Sequence, residues 1–277
     1  MIADMRRRFL FPVFISAICA ICAPSLVSAK PRAGEAFTPP LRLDAPVISS
    51  RARVFGAAGE LRDSDYYRRD RTVGADIEWA LGDQFSVVSS MGETWRERSK
   101  TETYRARERL NLGFRFAATG KLTGGIWGFS GGLRVFDKKG IKQAKIEEVN
   151  PGLYIALFSV QGGLKRGPLE AVLSFSFQTE TNTKLVERPG EEFRRHSLFG
   201  LALSYGLSRR KRVFLELEYR EPYHRDVDEG VRFFRAYPGF RWGTADNYAL
   251  SISLLFAIRR ENELDRGFRL GLHKYFN

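Results

Sequence analysis

Arginines recur in one phase along several short segments of this sequence. Arg105, Arg107 and Arg109 are spaced by two, and Arg115 follows in the same parity. Arg96, Arg134, Arg194, Arg220, Arg235, Arg241 and Arg269 stand in comparable alternating segments. A guanidinium binds carboxylate or phosphate bidentately, and a tube lined with guanidiniums concentrates anions. The acids in matching phase are Asp76, Glu78, Glu170, Glu216 and Glu218. Eleven arginines against five acids leave that row at +6. Glu216 and Glu218 lie two apart, about 7 Å between Cα atoms on a strand, which suits a carboxylate pair. Ion pairing with facing arginines is the plainer role for them.

The remaining chemistry-bearing residues form no catalytic set. His196 and Ser197 are adjacent, but successive strand residues point to opposite faces, so they make no nucleophile–base pair. His196 and His273 fall near opposite ends of their segments, too far apart to share a metal. His224 completes the three histidines. The run GGIWGFSGG, residues 124–132, opens no helix and is therefore no phosphate loop. Its glycines suit curvature or the close approach of another segment. Neither a metal site nor a cofactor is expected, and no glycosidase, protease or acyltransferase constellation is present.

The elements that must position these side chains are strands. Leu110, Leu112, Phe114 and Phe116 alternate with polar or small residues, as do Leu169, Ala171, Leu173, Phe175 and Phe177. Tyr248, Leu250, Ile252, Leu254, Phe256 and Ile258 do the same. Period two puts the apolar residues on one face and the polar ones on the other. Such segments predict about twelve strands, near 51–59, 72–81, 85–96, 104–117, 122–136, 149–160, 169–178, 194–207, 213–220, 232–242, 247–259 and 267–276. Connections alternate between short turns (82–83, 118–121, 161–168, 208–212, 243–246) and longer, charge-rich loops. The short turns hold Lys121, Lys165, Arg166, Arg209, Arg210, Lys211 and Arg212 against Asp83 and Asp246, a balance of +5, whereas the long loops lean acidic.

An even strand count with short turns on one side and long loops on the other is the pattern of an all-β, transmembrane, antiparallel up-and-down β-barrel. Its apolar rows face lipid and its arginine rows face the lumen. Trp79, Phe85, Phe116, Tyr205, Trp242, Tyr248 and Phe276 all stand in apolar rows close to the short turns or the C-terminus. An interfacial aromatic girdle sits there. Trp95, Tyr104, Phe177 and Tyr219 supply a second one near the long loops. The alternative is a water-soluble sandwich or barrel with the same rows turned inward.

The chain is 277 residues long, 43% apolar and 28% charged, with 22 Phe and a net charge of +13. It is too apolar and aromatic for a disordered basic tail, and long enough for one domain. Residues 1–29 read as a secretory signal peptide: Arg6 to Arg8, an apolar run to about Ala23, then Val27-Ser28-Ala29. Cys19 and Cys22 both lie in it, and neither follows a small residue as a lipidated cysteine would. The processed chain then carries +11 and no thiol. Residues 30–50, with Pro31, Pro39, Pro40 and Pro46, form an extended periplasmic lead-in, and 51–277 the barrel.

The last segment, GFRLGLHKYFN, places Phe268, Leu270, Leu272 and Phe276 in one row, interrupted by Lys274 and trailed by Asn277. With the girdles, this resembles Gram-negative bacterial outer-membrane β-barrel proteins along nearly the whole chain. The resemblance implies residence in the outer-membrane lipid and recognition of the terminal strand by the barrel-assembly machinery. Twelve-stranded porins for acidic sugars are similar in having arginine-lined lumens. The expected function is therefore a porin or channel for small anionic solutes. A closed barrel, with arginines paired to acids across the lumen and an enzymatic, lipid-modifying or structural surface role, is the alternative. The His-x-Ser spacing of the outer-membrane phospholipase is absent. Nucleic acid is not an expected partner of an exported chain whose cations alternate along strands.

Overall fold

The computed structural model of the protein describes residues 46–62, 67–98, 102–142, 147–182, 193–222, 233–243, 248–259 and 266–276. Twelve strands account for nearly all of them. They are β1 (Arg51–Arg62), β2 (Tyr67–Ala80), β3 (Phe85–Arg98), β4 (Glu102–Leu122), β5 (Gly125–Lys142) and β6 (Glu147–Arg166). Then follow β7 (Leu169–Asn182), β8 (Phe193–Gly206), β9 (Lys211–Pro222), β10 (Phe233–Gly243), β11 (Tyr248–Arg259) and β12 (Arg266–Tyr275). Each strand pairs antiparallel with the next, and β1 pairs with β12, so the sheet closes into a barrel. Arg51 stands opposite Tyr275 and Glu60 opposite Arg266 across that seam. Closure leaves no edge strand, which is the condition for crossing lipid with β-structure.

Period two decides inside from outside. On β11, Ala249, Ser251 and Ser253 are buried while Leu250, Ile252, Leu254 and Phe256 are exposed. On β3, Ser86 and Val88 are buried while Phe85 and Val87 are exposed. The apolar rows face outward and the small or polar rows face the lumen. A water-soluble barrel would do the reverse.

Several strands outrun the expected bounds. Residues 161–168, expected as a turn, are strand up to Arg166. Gly162 and Gly163 pair with Phe129 and Gly128, and Lys165 with Ile126. Backbone pairing continues wherever a partner strand is present, even where side chains show no alternation. The remaining turn is Gly167-Pro168, with Gly167 at φ 57°, and Gly124 in the β4–β5 turn has φ 74°. Both are left-handed positions that glycine adopts without strain.

One irregularity bears on the site. The β3–β4 register shifts between Ser89 and Gly92, and the β4–β5 register shifts between Glu108 and Leu110. β4 carries an extra residue there, and an extra residue reverses the face on which the following positions fall.

Candidate functional site

The lumen at the short-turn end is filled by a polar layer built from all twelve strands. Glu78 on β2 is its anchor. Its Oε1 accepts from Arg115 Nη1 at 2.6 Å and from Ser86 Oγ at 2.9 Å. Arg51 Nε approaches its Oε2 at 3.1 Å. That last contact is an ion pair rather than an aligned hydrogen bond, since neither atom has a bond of acceptable geometry. Arg115 has a fully buried side chain and that of Glu78 is 3% exposed. Arg115 Nη2 goes on to donate to Ser130 Oγ at 3.0 Å, and Ser130 donates to Gln161 Oε1 at 2.8 Å. Beside them Arg53 bonds Asp76, Nε to Oδ2 at 2.7 Å.

Across the lumen Glu170 is the second anchor. Arg212 Nη1 lies 2.9 Å and Lys165 Nζ 3.1 Å from its Oε1. Arg212 also donates to Ser204 at 3.0 Å. Arg241 donates to the Tyr275 hydroxyl, and Ser251 Oγ lies 2.9 Å from His273 Nε2. Glycines make room for this layer. The stem of Arg115 lies 2.8 Å from where a Cβ on Gly132 would sit, so the glycine-rich run of β5 serves close approach. Likewise the Phe55 ring lies over Gly74, and the Phe214 ring over Gly239.

Above the layer, toward the long loops, a cavity of about 450 Å³ opens. Arg220, Arg235 and Arg269 line it, with Asp70 and Glu218, the hydroxyls of Thr72, Thr94 and Tyr237, and the rings of Phe55 and Phe233. The guanidinium of Arg269 lies 4.2 Å from the Phe55 ring centroid, and that of Arg235 lies 4.0 Å from Phe233. Stacking on a ring holds a guanidinium in place. Tyr237 donates to Glu218 at 3.1 Å. The cavity is thus cationic, aromatic and hydroxylated at once.

The structure distributes the sequence-predicted residues between these two zones. Arg115, Arg241, Asp76, Glu78 and Glu170 belong to the polar layer. Arg220, Arg235, Arg269 and Glu218 line the cavity. Glu216 is buried in the same row of β9, and Arg134 packs over Gly113. The side chains of Arg96, Arg105, Arg107, Arg109, Arg194 and Tyr104 lie outside the described residues. Between Arg115 and Arg105 the register of β4 shifts by one residue, and it pairs Arg105 with Trp95 and Arg107 with Glu93. Lys165 and Arg212, assigned to short turns, instead reach into the barrel mouth toward Glu170, because β6 and β9 extend further than their patterns suggest.

Arg51, Arg53, Tyr275 and the Ser251–His273 contact escaped sequence reasoning. Ser251 and His273 come from different strands, and only the β11–β12 register sets them side by side. His196 is buried and pairs with Gln178 toward the loop side, well separated in register from His273. Outside the barrel, Trp79, Phe85, Tyr205, Trp242, Tyr248 and Phe276 are exposed, and Phe116 half-buried. Trp79 and Phe276 rings lie 6.5 Å apart across the closing seam. Higher up, Phe175, Phe199, Tyr219 and Phe234 form a chain of ring contacts at 5.1–6.5 Å.

No protein-family model matches the sequence, and no curated protein matches it either. Solved structures do. An outer membrane channel from Pseudomonas putida F1 superposes with TM-score 0.60 at 10% identity, covering 90% of this chain and all of that one. The β domain of the Bordetella autotransporter BrkA gives 0.52 at 15% identity, covering 83% of this chain and all of that one. The KdgM porin, solved in complex with disordered oligogalacturonate, gives 0.50 at 8% identity, covering 81% and 99%. The protein has the fold of these outer-membrane β-barrels.

Proposed function

We propose that this protein resides in the bacterial outer membrane, exported by residues 1–29, and passes small anionic solutes through its lumen. The observation that carries this reading is the cavity in which Arg235 and Arg269 are held against aromatic rings. Fixed guanidiniums in a narrow, partly apolar chamber attract anions from the loop side. The polar layer around Glu78 and Glu170 is then the constriction, and its ion pairs must rearrange for passage. The KdgM porin is a barrel of similar fold crystallised with an acidic oligosaccharide, which supports an acidic solute here.

A second reading rests on that same layer. Arg115 and Glu78 are so well paired and buried that a permanently closed barrel with a surface role accounts for them as well. Planar-bilayer recording separates the two. The channel reading expects current steps, a reversal potential favouring anions under a salt gradient, and loss of that preference in the Arg235→Gln/Arg269→Gln double variant. Silence in every salt would leave the closed barrel. Extraction of the protein from membranes by carbonate would refute the integral location.

A further inference from the structure

We infer that residues 46–50, just ahead of β1, are a self-supplied plug seated in the turn-side mouth of the lumen, and that they set its conductance. This deepens the channel reading above and rests on it. Pro46 is fully buried and Val47 is 8% exposed. Val47 packs with Ile126, Val172 and Ala202 in an apolar cluster. Those three partners lie on β5, β7 and β8, in the same inward-facing rows as Ser130, Glu170 and Ser204. Val47 therefore sits inside the barrel, not under it. This is an apolar patch of the lumen at its turn-side mouth, and the chain's own side chain covers it.

The segment suits that position. Proline has no N–H, so Pro46 brings no unmet donor into the mouth. Ser50 pins the segment to the rim: its Oγ accepts from the Ala80 amide at 3.1 Å and its carbonyl from the Phe276 amide at 2.9 Å. These bonds tie it to the turn-side ends of β2 and β12. Two buried apolar side chains, Pro46 and Val47, and the two Ser50 hydrogen bonds seat the segment, which belongs to no strand of the closed sheet. It can leave without breaking the barrel. The polar layer alone would then guard the mouth.

The test compares the full-length chain with Val47→Asp, recovered from membranes of expressing cells, with strand content checked by circular dichroism. A carboxylate at this position cannot stay in the apolar cluster without a partner. Single-channel conductance is expected to rise several-fold in Val47→Asp. Equal conductance in the two proteins would overturn the plug and leave the channel reading intact. No current from either would overturn both. A second measurement does not depend on conduction. Val47→Cys, made with Cys19 and Cys22 replaced by serine, is expected to react with a charged thiol reagent far more slowly than Thr123→Cys in an exposed turn. Equal labelling rates would show the segment unseated and the inference wrong.

Discussion

Replacing Glu78 by glutamine removes the charge on which three strands converge. In the native lumen this carboxylate meets Arg115 at 2.6 Å, Arg51 at 3.1 Å and Ser86 at 2.9 Å. Glutamine is isosteric and still accepts from Ser86, so the loss falls on the two ionic contacts. Arg115 is fully buried and loses its carboxylate partner, while its bond to Ser130 at 3.0 Å remains. Removing one member of a buried ion pair costs about 3–5 kcal/mol, because the other charge stays desolvated. Exposed pairs are worth about 0–1 kcal/mol. The protein carries its own control: Arg69 and Glu97 lie 3.8 Å apart with 38% of each side chain exposed. Urea unfolding from lipid vesicles, followed by the fluorescence of the four tryptophans, measures both. We expect Glu78→Gln to destabilise by about 3 kcal/mol, at the lower end because Arg115 keeps its bond to Ser130. Glu97→Gln should change stability by less than about 0.5 kcal/mol. Adding Arg115→Met to Glu78→Gln should restore part of the loss, since the fully buried charge is removed together with its partner. A Glu78→Gln cost no larger than that of Glu97→Gln would refute the argument. The polar layer would then be a wet lining, not a desolvated closure.

Leu270 lies mid-strand on β12 in the outward row. Leu270→Arg should destabilise the barrel in bilayers by about 2–4 kcal/mol, the cost of a cation at a lipid-facing site near the midplane; a neutral effect in the same unfolding assay would count against a lipid-facing row. Gly124, at φ 74° in the β4–β5 turn, should lose about 1–3 kcal/mol on Gly124→Val, because a β-branched residue is strained there, whereas Gly82→Ala, with open space around its Cβ position, should be near neutral. Equal effects from the two would mean that turn geometry does not constrain this hairpin.

Much of this protein was legible along the chain, and the reason is the pleat. A strand sends successive side chains to opposite faces, so Leu250, Ile252 and Leu254 against Ser251 and Ser253 already separate outside from inside. The same rule places Glu78, Arg115, Glu170, Arg235 and Arg269 on the lumen side. It fails where the local count changes. The extra residue of β4 breaks the phase that ties Arg105 and Arg107 to Arg115. It also fails at strand ends, where Lys165 and Arg212 look like turn residues until the neighbouring strands extend and draw them toward Glu170.

The period of the sequence, by itself, therefore determined a barrel of about twelve strands with an apolar exterior and a charged interior; closure fixed the count at twelve. Which charges meet was decided only by closure. Glu78 reaches Arg115 across 37 positions of chain, Ser251 reaches His273 across 22, and Val47 lies among residues of β5, β7 and β8. Alternation is a local rule about one strand, whereas these contacts depend on the register between strands and on the curvature of the closed sheet. Neither is written in any single segment, and both are settled when β1 pairs with β12.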